Sequence, residues 1–327
     1  MKPVLISGIQ PTGKLHIGNY LGALKNFVEL QDSGKYECYF FIADLHSLTE
    51  QFDPKEKGEQ ILNLVADFLA AGLNPHKSTI FLQSRIPAHS ELAWILDTIT
   101  PMGELERMTQ FKDKSSRQKE NVNVGLFTYP TLMAADILIY STNVVPVGDD
   151  QDQHLEITRT LARKFNTKFG KTFIEPKAVY TKTPRVMSLA NPLKKMSKSE
   201  PESCLFIDDS PEEIQNKIKR AVTDSGSEIT YDKKNKPAIS NLLEIYSSLS
   251  GEGIQALEKK CKGKKYVEFK VDVAKAITDH FADFRKAKSA LVKNPASLLS
   301  IISEGSAEAG KVANRKIAEV KKKIGLI

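Results

Sequence analysis

The sequence predicts an α/β fold, a doubly wound parallel sheet covered by helices, followed by a smaller all-helical domain. Three observations predict it. Short β-rich runs alternate with longer amphipathic segments through the first two thirds of the chain, the order that builds parallel strands joined by crossover helices. Residues 38–43 (Cys-Tyr-Phe-Phe-Ile-Ala) are apolar throughout, as a strand covered on both faces must be. Beyond about residue 200 the β-rich runs give way to lysine-rich segments of helical character.

Taken in order, the first strand is expected at residues 4–7, the second at 38–43 and the third at 78–83. Before the third, Asp53-Pro54-Lys55-Glu56 joins a capping aspartate, a proline at the first helical position and a glutamate spaced to close a capping box. A helix should therefore run to about Ala71 and stop at Gly72. Residues 111–125 are polar, charged and aperiodic, which argues for an exposed mobile connection near a site. Residues 144–147 read as a strand, and Asp150 to about Phe165 as a helix. Ser210-Pro211-Glu212-Glu213 is a second cap-plus-proline start, Lys259, Lys260, Lys262, Lys264 and Lys265 cluster further on, and Pro295 breaks the helical pattern. The expected division is a catalytic domain at 1–200, a helical domain at 201–294, and C-terminal helices at 295–327 that pack back on the first domain.

At 327 residues the chain has room for two domains. Its 41% hydrophobic and 27% charged residues exclude a fibre or a disordered chain. A net charge of +7 attracts polyanions such as nucleic acid or acidic membranes. The three cysteines are odd in number and form no CxxC pair, so free thiols in a reducing compartment are expected. The apolar run at 4–6 is far shorter than a secretory or spanning segment. A cytoplasmic protein with no membrane partner is the expectation.

Two constellations carry chemistry. In Ser7-Gly8-Ile9-Gln10-Pro11-Thr12-Gly13-Lys14-Leu15-His16-Ile17-Gly18-Asn19 a strand enters a glycine-bearing loop and Gly18 opens a helix. A helix N-terminus offers unpaired N–H groups to an anion, a glycine there lets a nucleotide come close, and His16 is placed to donate to a phosphate oxygen. In Lys195-Met196-Ser197-Lys198-Ser199 two lysines flank small hydroxyl residues, a cationic clamp able to follow charge onto a leaving pyrophosphate. Between them, residues 128–138 place Tyr129, Met133 and Asp136 on one helix face. An apolar floor with one carboxylate suits a large flat ligand bearing a single N–H donor. Asp136 stands among apolar residues, where burial without a partner is costly. Then Val145-Pro146-Val147-Gly148-Asp149-Asp150 gives a strand, a glycine turn and acidic groups able to accept from ribose hydroxyls, one aspartate also serving as a helix cap.

Residues 16–19 (His-Ile-Gly-Asn) and 195–199 (Lys-Met-Ser-Lys-Ser) resemble the two signatures of class I aminoacyl-tRNA synthetases, with asparagine in place of the final histidine of the first. Asn19 still donates a hydrogen bond. With residues 103–112 and 128–154, nearly the whole chain resembles the bacterial-type tryptophanyl-tRNA synthetases. That resemblance implies a Rossmann-type catalytic domain, ATP with Mg²⁺, tryptophan and tRNA(Trp) as ligands, anticodon binding by the helical domain, and a homodimer. By the same resemblance Asp136 accepts the indole N–H, and Tyr129, Met133, His46, Gln151, Val145 and Val147 line or orient the amino-acid pocket. Gln10, Pro11, Thr12, Gly18, Asn19, Gly148, Asp149, Asp150, Val186, Lys195, Met196, Ser197, Lys198 and Ser199 hold ATP. His16, Lys195, Lys198 and Lys114 serve the chemistry, Lys114 reaching the phosphates. No residue is assigned to a protein-held metal. Ile6 stands where the family often has phenylalanine.

Tyrosyl-type synthetases are the nearest alternative, but that family carries a glutamine where Met133 stands, which favours the indole. A nucleotidyltransferase that ignores tRNA leaves the lysine-rich helices without a role. A catalytically silent RNA-binding paralogue would lose charged residues that both signatures retain here. The activity implied is a tryptophan–tRNA ligase working through an aminoacyl adenylate.

Overall fold

The computed structural model describes residues 2–109, 122–148, 152–180 and 184–327. Five parallel strands form one sheet in the order β3-β2-β1-β4-β5, with β1 at Val4–Ile9, β2 at Glu37–Ile42, β3 at Ser78–Leu82, β4 at Val144–Val147 and β5 at Lys177–Tyr180. The chain leaves β1 towards β2 and β3 on one side and returns to β4 and β5 on the other. Leu5 thus stands beside Cys38 on one flank and Val144 on the other. Such a reversal opens a crevice at the carboxyl ends of β1 and β4, where doubly wound sheets bind their ligands.

Alternation along the strands divides the core in two. Leu5, Cys38, Phe40, Ile42 and Ile80 face one side, and Ile6, Tyr39, Phe41, Phe81, Val145 and Val147 the other. The first face meets helix α1 and helix α2 (Pro54–Ala70). Helix α1 starts at Ile17–Asn19, makes one π turn at Tyr20–Leu24 and continues over Lys25–Asp32. The second face meets α3 (Ala88–Asp97), α4 (Met102–Glu106), α5 (Val124–Leu138) and α6 (Asp152–Phe169).

Past the sheet come α7 (Pro211–Arg220), α8 (Pro237–Ser250), α9 (Ile254–Lys260), α10 (Tyr266–His280), α11 (Ala282–Leu291) and α12 (Pro295–Ile324). Ile214, Ile239, Leu243 and Phe269 from these helices, with Phe281 at the junction of α10 and α11, share the first core with Leu5 and Phe40. The second receives Ala309, Ala313, Ile317 and Val320 of α12. Helix α12 lies against β3, the edge strand, where the Leu82 N–H donates to the Ser306 hydroxyl at 3.3 Å. A cover of this kind removes an open pairing edge.

The caps account for several boundaries. Ser210 and Glu213 form a reciprocal capping box on α7, and Asn294 caps α12 with Pro295 at its start. Asp53 caps α2 through the Lys55 N–H, but no box closes there, because the Glu56 carboxylate accepts from Gln60 at 3.3 Å instead. Asn123 caps α5 by accepting from the Leu126 N–H at 2.9 Å. The polar connection expected to reach residue 125 thus gives way to helix at Val124, and its residues 110–121 lie outside the described ones. The four-residue strand β5 was not among the expected strands; Lys-Ala-Val-Tyr has a lysine at one end and no apolar run, unlike the equally short Val-Val-Pro-Val of β4. Among the described residues no helix is long and apolar enough to cross a membrane. Cys38, Cys204 and Cys261 are free and buried.

Candidate active site

The crevice at the β1/β4 reversal is a cleft of about 810 Å³. One wall comes from the loop between β1 and α1. His16 is the N-cap of α1, and its Nδ1 accepts from the Gly18 N–H at 3.0 Å and the Asn19 N–H at 3.3 Å. The Asn19 side chain returns the contact, its Oδ1 accepting from the His16 N–H at 3.2 Å. A Cβ on Gly18 would lie 2.8 Å from His16 Cε1, so the position is glycine because the capping ring lies over it. This alters the simplest expectation for the motif: the Gly18 N–H offered to an anion is already taken, and the ring is the group left to meet one. Burial first, then the Lys198 and Lys195 ammonium groups, hold the His16 pKa down at about 4. The ring is therefore neutral at physiological pH, and with Nδ1 accepting, Nε2 carries the hydrogen.

The lysine segment is the return arm of a short hairpin. Met187 and Lys195 face each other in antiparallel register, framed by Ser188 N–H to Lys194 C=O at 2.8 Å and Met196 N–H to Val186 C=O at 3.1 Å. Met196 and Val186 are buried in the first core. Lys198 Nζ reaches the opposite loop, donating to Thr12 Oγ1 at 3.3 Å and to the carbonyls of Thr12 and Gly13 at 3.4 Å each. Burial lowers its pKa. Two carbonyls and a hydroxyl are weaker partners for an ammonium than an anionic oxygen is.

The far end of the cleft is built on α5. Tyr129, Met133 and Asp136 all line it, as three- and four-residue spacing requires. The Asp136 carboxylate is 1% exposed and is met by three donors: His46 Nε2 at 2.7 Å, His89 Nδ1 at 2.6 Å, and Gln83 Nε2 at 2.8 and 3.0 Å from its two oxygens. Burial works to raise its pKa, but the hydrogen bonds from His46 and His89 outweigh that and lower it. Asp136 is an anion that only accepts, so both imidazoles give it an N–H, and His89 Nε2 pairs with the Tyr140 hydroxyl at 2.8 Å. Each carboxylate oxygen carries two of these four Asp136 contacts, so its roughly four lone-pair sites are engaged and a ligand N–H would share one of them or displace a donor.

Gln10, His16, Gly18, Asn19, Gly148, Val186 and Lys195 therefore share one cleft with His46, Tyr129, Met133, Asp136, Val145 and Val147. Pro11, Thr12, Met196, Ser197, Lys198 and Ser199 do not line it; of these Lys198 and Thr12 meet in the loop beside it and Met196 is a core residue. Lys114, Asp149, Asp150 and Gln151 lie outside the described residues. Ile6 lines the cleft wall beside Phe41.

Residues 1–282 match the family model of class I tRNA synthetases (W and Y). The chain is 49% identical to the tryptophan–tRNA ligase of Caldanaerobacter subterraneus subsp. tengcongensis, covering 99% of this chain and 98% of that one. It is 47% identical to the tryptophan–tRNA ligase of Bacillus subtilis, over 100% and 98%. The chain belongs to the bacterial-type tryptophanyl-tRNA synthetase family. Its fold agrees with the solved tryptophanyl-tRNA synthetase of Mycoplasma pneumoniae, with a TM-score of 0.90 and 35% identity over 100% of this chain and 99% of the other. It also agrees with that of Campylobacter jejuni complexed with ADP and tryptophan, with a TM-score of 0.85 and 36% identity over 98% and 99%.

Several residues around this tryptophanyl-tRNA synthetase cleft escaped the sequence reading. Gln83 and His89 fix Asp136, Tyr140 backs His89, and His154 Nε2 meets the Tyr129 hydroxyl at 2.6 Å. Gln83 carried a signal, since it ends the apolar strand run Ile80-Phe81-Leu82, where a glutamine needs a partner. His89 begins an apolar helix for the same reason, but nothing local names Asp136 as its partner 47 residues away.

Proposed function

We propose that this chain joins tryptophan to tRNA(Trp) in two steps, using ATP. The tryptophan carboxylate attacks the α-phosphorus in line, giving tryptophanyl adenylate and pyrophosphate, and a terminal ribose hydroxyl of the tRNA then takes the aminoacyl group with release of AMP. The observation that carries this reading is one cleft with a buried, acceptor-only carboxylate at one end and His16, Gly18 and Lys195 at the other. Such a cleft suits a ligand pair that places an aromatic N–H donor and a polyphosphate either side of the reacting atoms.

In this reading Asp136 accepts from the indole, with Tyr129, Met133, His46, Val145, Val147 and Gln151 enclosing the ring and amino group. Gln10, Pro11, Thr12, Asn19, Gly148, Asp149, Asp150 and Val186 surround the nucleotide, with the backbone of Met196 and the hydroxyls of Ser197 and Ser199. His16 donates through Nε2 to a phosphate oxygen. Lys195 and Lys198, with Lys114, follow charge onto the leaving pyrophosphate. Positioning and electrostatics dominate, because the protein forms no bond to the substrate in such a transfer. Among the described residues no group of three or more histidines, cysteines or carboxylates could hold a metal ion. Mg²⁺ would come with the ATP substrate and share the charge of its phosphates.

The helical residues 201–294 bind the anticodon arm, a role supported by the exposed Lys259, Lys262 and Lys265. The working form is a homodimer in the cytoplasm; the three free buried thiols agree with a reducing compartment. Tryptophan-dependent ATP–pyrophosphate exchange tests the core of the proposal, with phenylalanine and tyrosine as competitors. Exchange driven equally well by tyrosine overturns the substrate assignment. Lys195→Ala should lower the exchange rate roughly 10²–10³-fold, with a smaller effect on the KM for tryptophan, and near-normal turnover removes that lysine from the mechanism.

A further inference from the structure

The hairpin that carries Lys195 has one backbone residue turned away from its partner strand. Met187 and Lys195 form the wide, non-hydrogen-bonded kind of antiparallel pair, because the bonds on either side run from Ser188 to Lys194 and from Met196 to Val186. The N–H and C=O of Met187 therefore point outward, to a side where, among the described residues, the hairpin has no further strand. Both are taken by one side chain. Asn241, on α8, accepts from the Met187 N–H through Oδ1 at 2.9 Å and donates to the Met187 C=O through Nδ2 at 3.1 Å. Its amide imitates the edge of a neighbouring strand.

Asn241 is 3% exposed in an apolar stretch, Ala238-Ile239-Ser240-Asn241-Leu242-Leu243. A buried amide is costly unless satisfied, and a helix wanting only core packing has leucine for that position. Directly opposite Met187 stands Lys195, and in wide pairs the facing side chains are at their closest, with Cα atoms about 4.5 Å apart. We propose that Asn241 is a positioning residue for Lys195: it fixes the strand at Met187, and through the pair it fixes where the Lys195 ammonium enters the cleft. The inference deepens the reading of Lys195 given above and rests on it. It also gives α8, a helix outside the sheet, a direct mechanical hold on the activation chemistry.

The test is a double-mutant cycle in tryptophan-dependent ATP–pyrophosphate exchange, with thermal unfolding of each variant to confirm a folded protein at the assay temperature. Asn241→Ala should lower kcat about 10-fold, the cost of losing a short-range positioning contact, and leave the KM for tryptophan within about twofold. In the Lys195→Ala background the same substitution should cost less than about twofold, since the group it positions is gone. A recurrence of the full loss in that background overturns the proposal, as does an unchanged kcat for Asn241→Ala beside a damaged Lys195→Ala. Near-normal exchange by Lys195→Ala sinks the lysine reading itself, and this inference with it. Asn241→Ser, which keeps one polar contact in the same space, is held to the same non-additivity should the alanine variant fail to fold.

Discussion

In the proposed mechanism His16 uses both nitrogens of one ring, Nδ1 for the helix cap and Nε2 for the phosphate, a pairing that a helix cap alone does not require. Asparagine caps at least as well, so the proposed phosphate contact of Nε2 is what would distinguish histidine from asparagine at this N-cap. The His16 pKa lies at about 4 instead of 6.5, chiefly through burial. Between those values the unfolded chain binds more protons than the folded one, so stability from the neutral ring is fully present above about pH 6.5 and lost as pH falls towards 4. Asp67, which burial raises to about 6, titrates in the same window with the opposite sign, so the wild type alone is uninformative and the difference from a variant is needed. His16→Asn should keep the cap, lose the His16 share of the pH slope, and lower adenylate formation by roughly 10–100-fold. Urea unfolding from pH 4.5 to 7 measures the first effect and pyrophosphate exchange the second; an unchanged exchange rate leaves His16 a cap only. Asp136 presents a different case, because its removal strands three donors and, in the proposed complex, the indole N–H as well. Asp136→Asn keeps the shape and should cut the preference for tryptophan over phenylalanine by about 10- to 100-fold. Competition exchange with both amino acids decides it, and a preserved preference rejects Asp136 as the indole partner. At this scale the sequence disclosed residue types better than partners: Asp136 stood out as a lone carboxylate among apolar neighbours, while Gln83 and His89 reach it from other elements.

Elements with a strong local signal were readable and the others were not. Strands β1 to β4 announced themselves by apolar or β-branched runs, and α7 by Ser210-Pro211. Strand β5 lacks the apolar run that marks the equally short β4, and the π turn at Tyr20–Leu24 leaves no mark in composition. Helix α12 shows how tertiary contact reverses a local preference. It contains Gly305 and Gly310, both poorer helix formers than alanine by about 1 kcal/mol. A Cβ on Gly305 would lie 1.9 Å from the Ile80 carbonyl oxygen of β3, whereas one on Gly310 meets nothing within 4 Å. Gly310→Ala should therefore stabilise the protein by up to about 1 kcal/mol. Gly305→Ala should destabilise it by about 1–3 kcal/mol, because the helix must lift off the strand it covers. Denaturant melts of the two variants test this, and equal shifts of one sign would mean that α12 does not press on β3 as its backbone contact implies.

For the molecule as a whole, the sheet and its reversal point follow from the alternation of strand and helix patterns, but the surface that completes an assembly does not. Helix α5 is apolar nearly all round, a character that calls for cover on every side. Yet Val124 at its start is 76% exposed, and Trp94 on the packed neighbour α3 and Met102 on α4 are 71% and 63% exposed. Large apolar side chains open on adjoining helices suit an association surface, and the homodimer proposed above would cover them. Trp94 is the single tryptophan of the chain, so the protein reports on this surface by itself. On dilution from micromolar to low nanomolar concentration, its emission should shift to the red at the concentration where sedimentation shows dimer giving way to monomer. Trp94→Glu should place a charge in the interface and weaken association by about 100-fold or more. A dimer that persists unchanged in that variant, or dissociates with no change in Trp94 emission, would put the interface elsewhere on the surface.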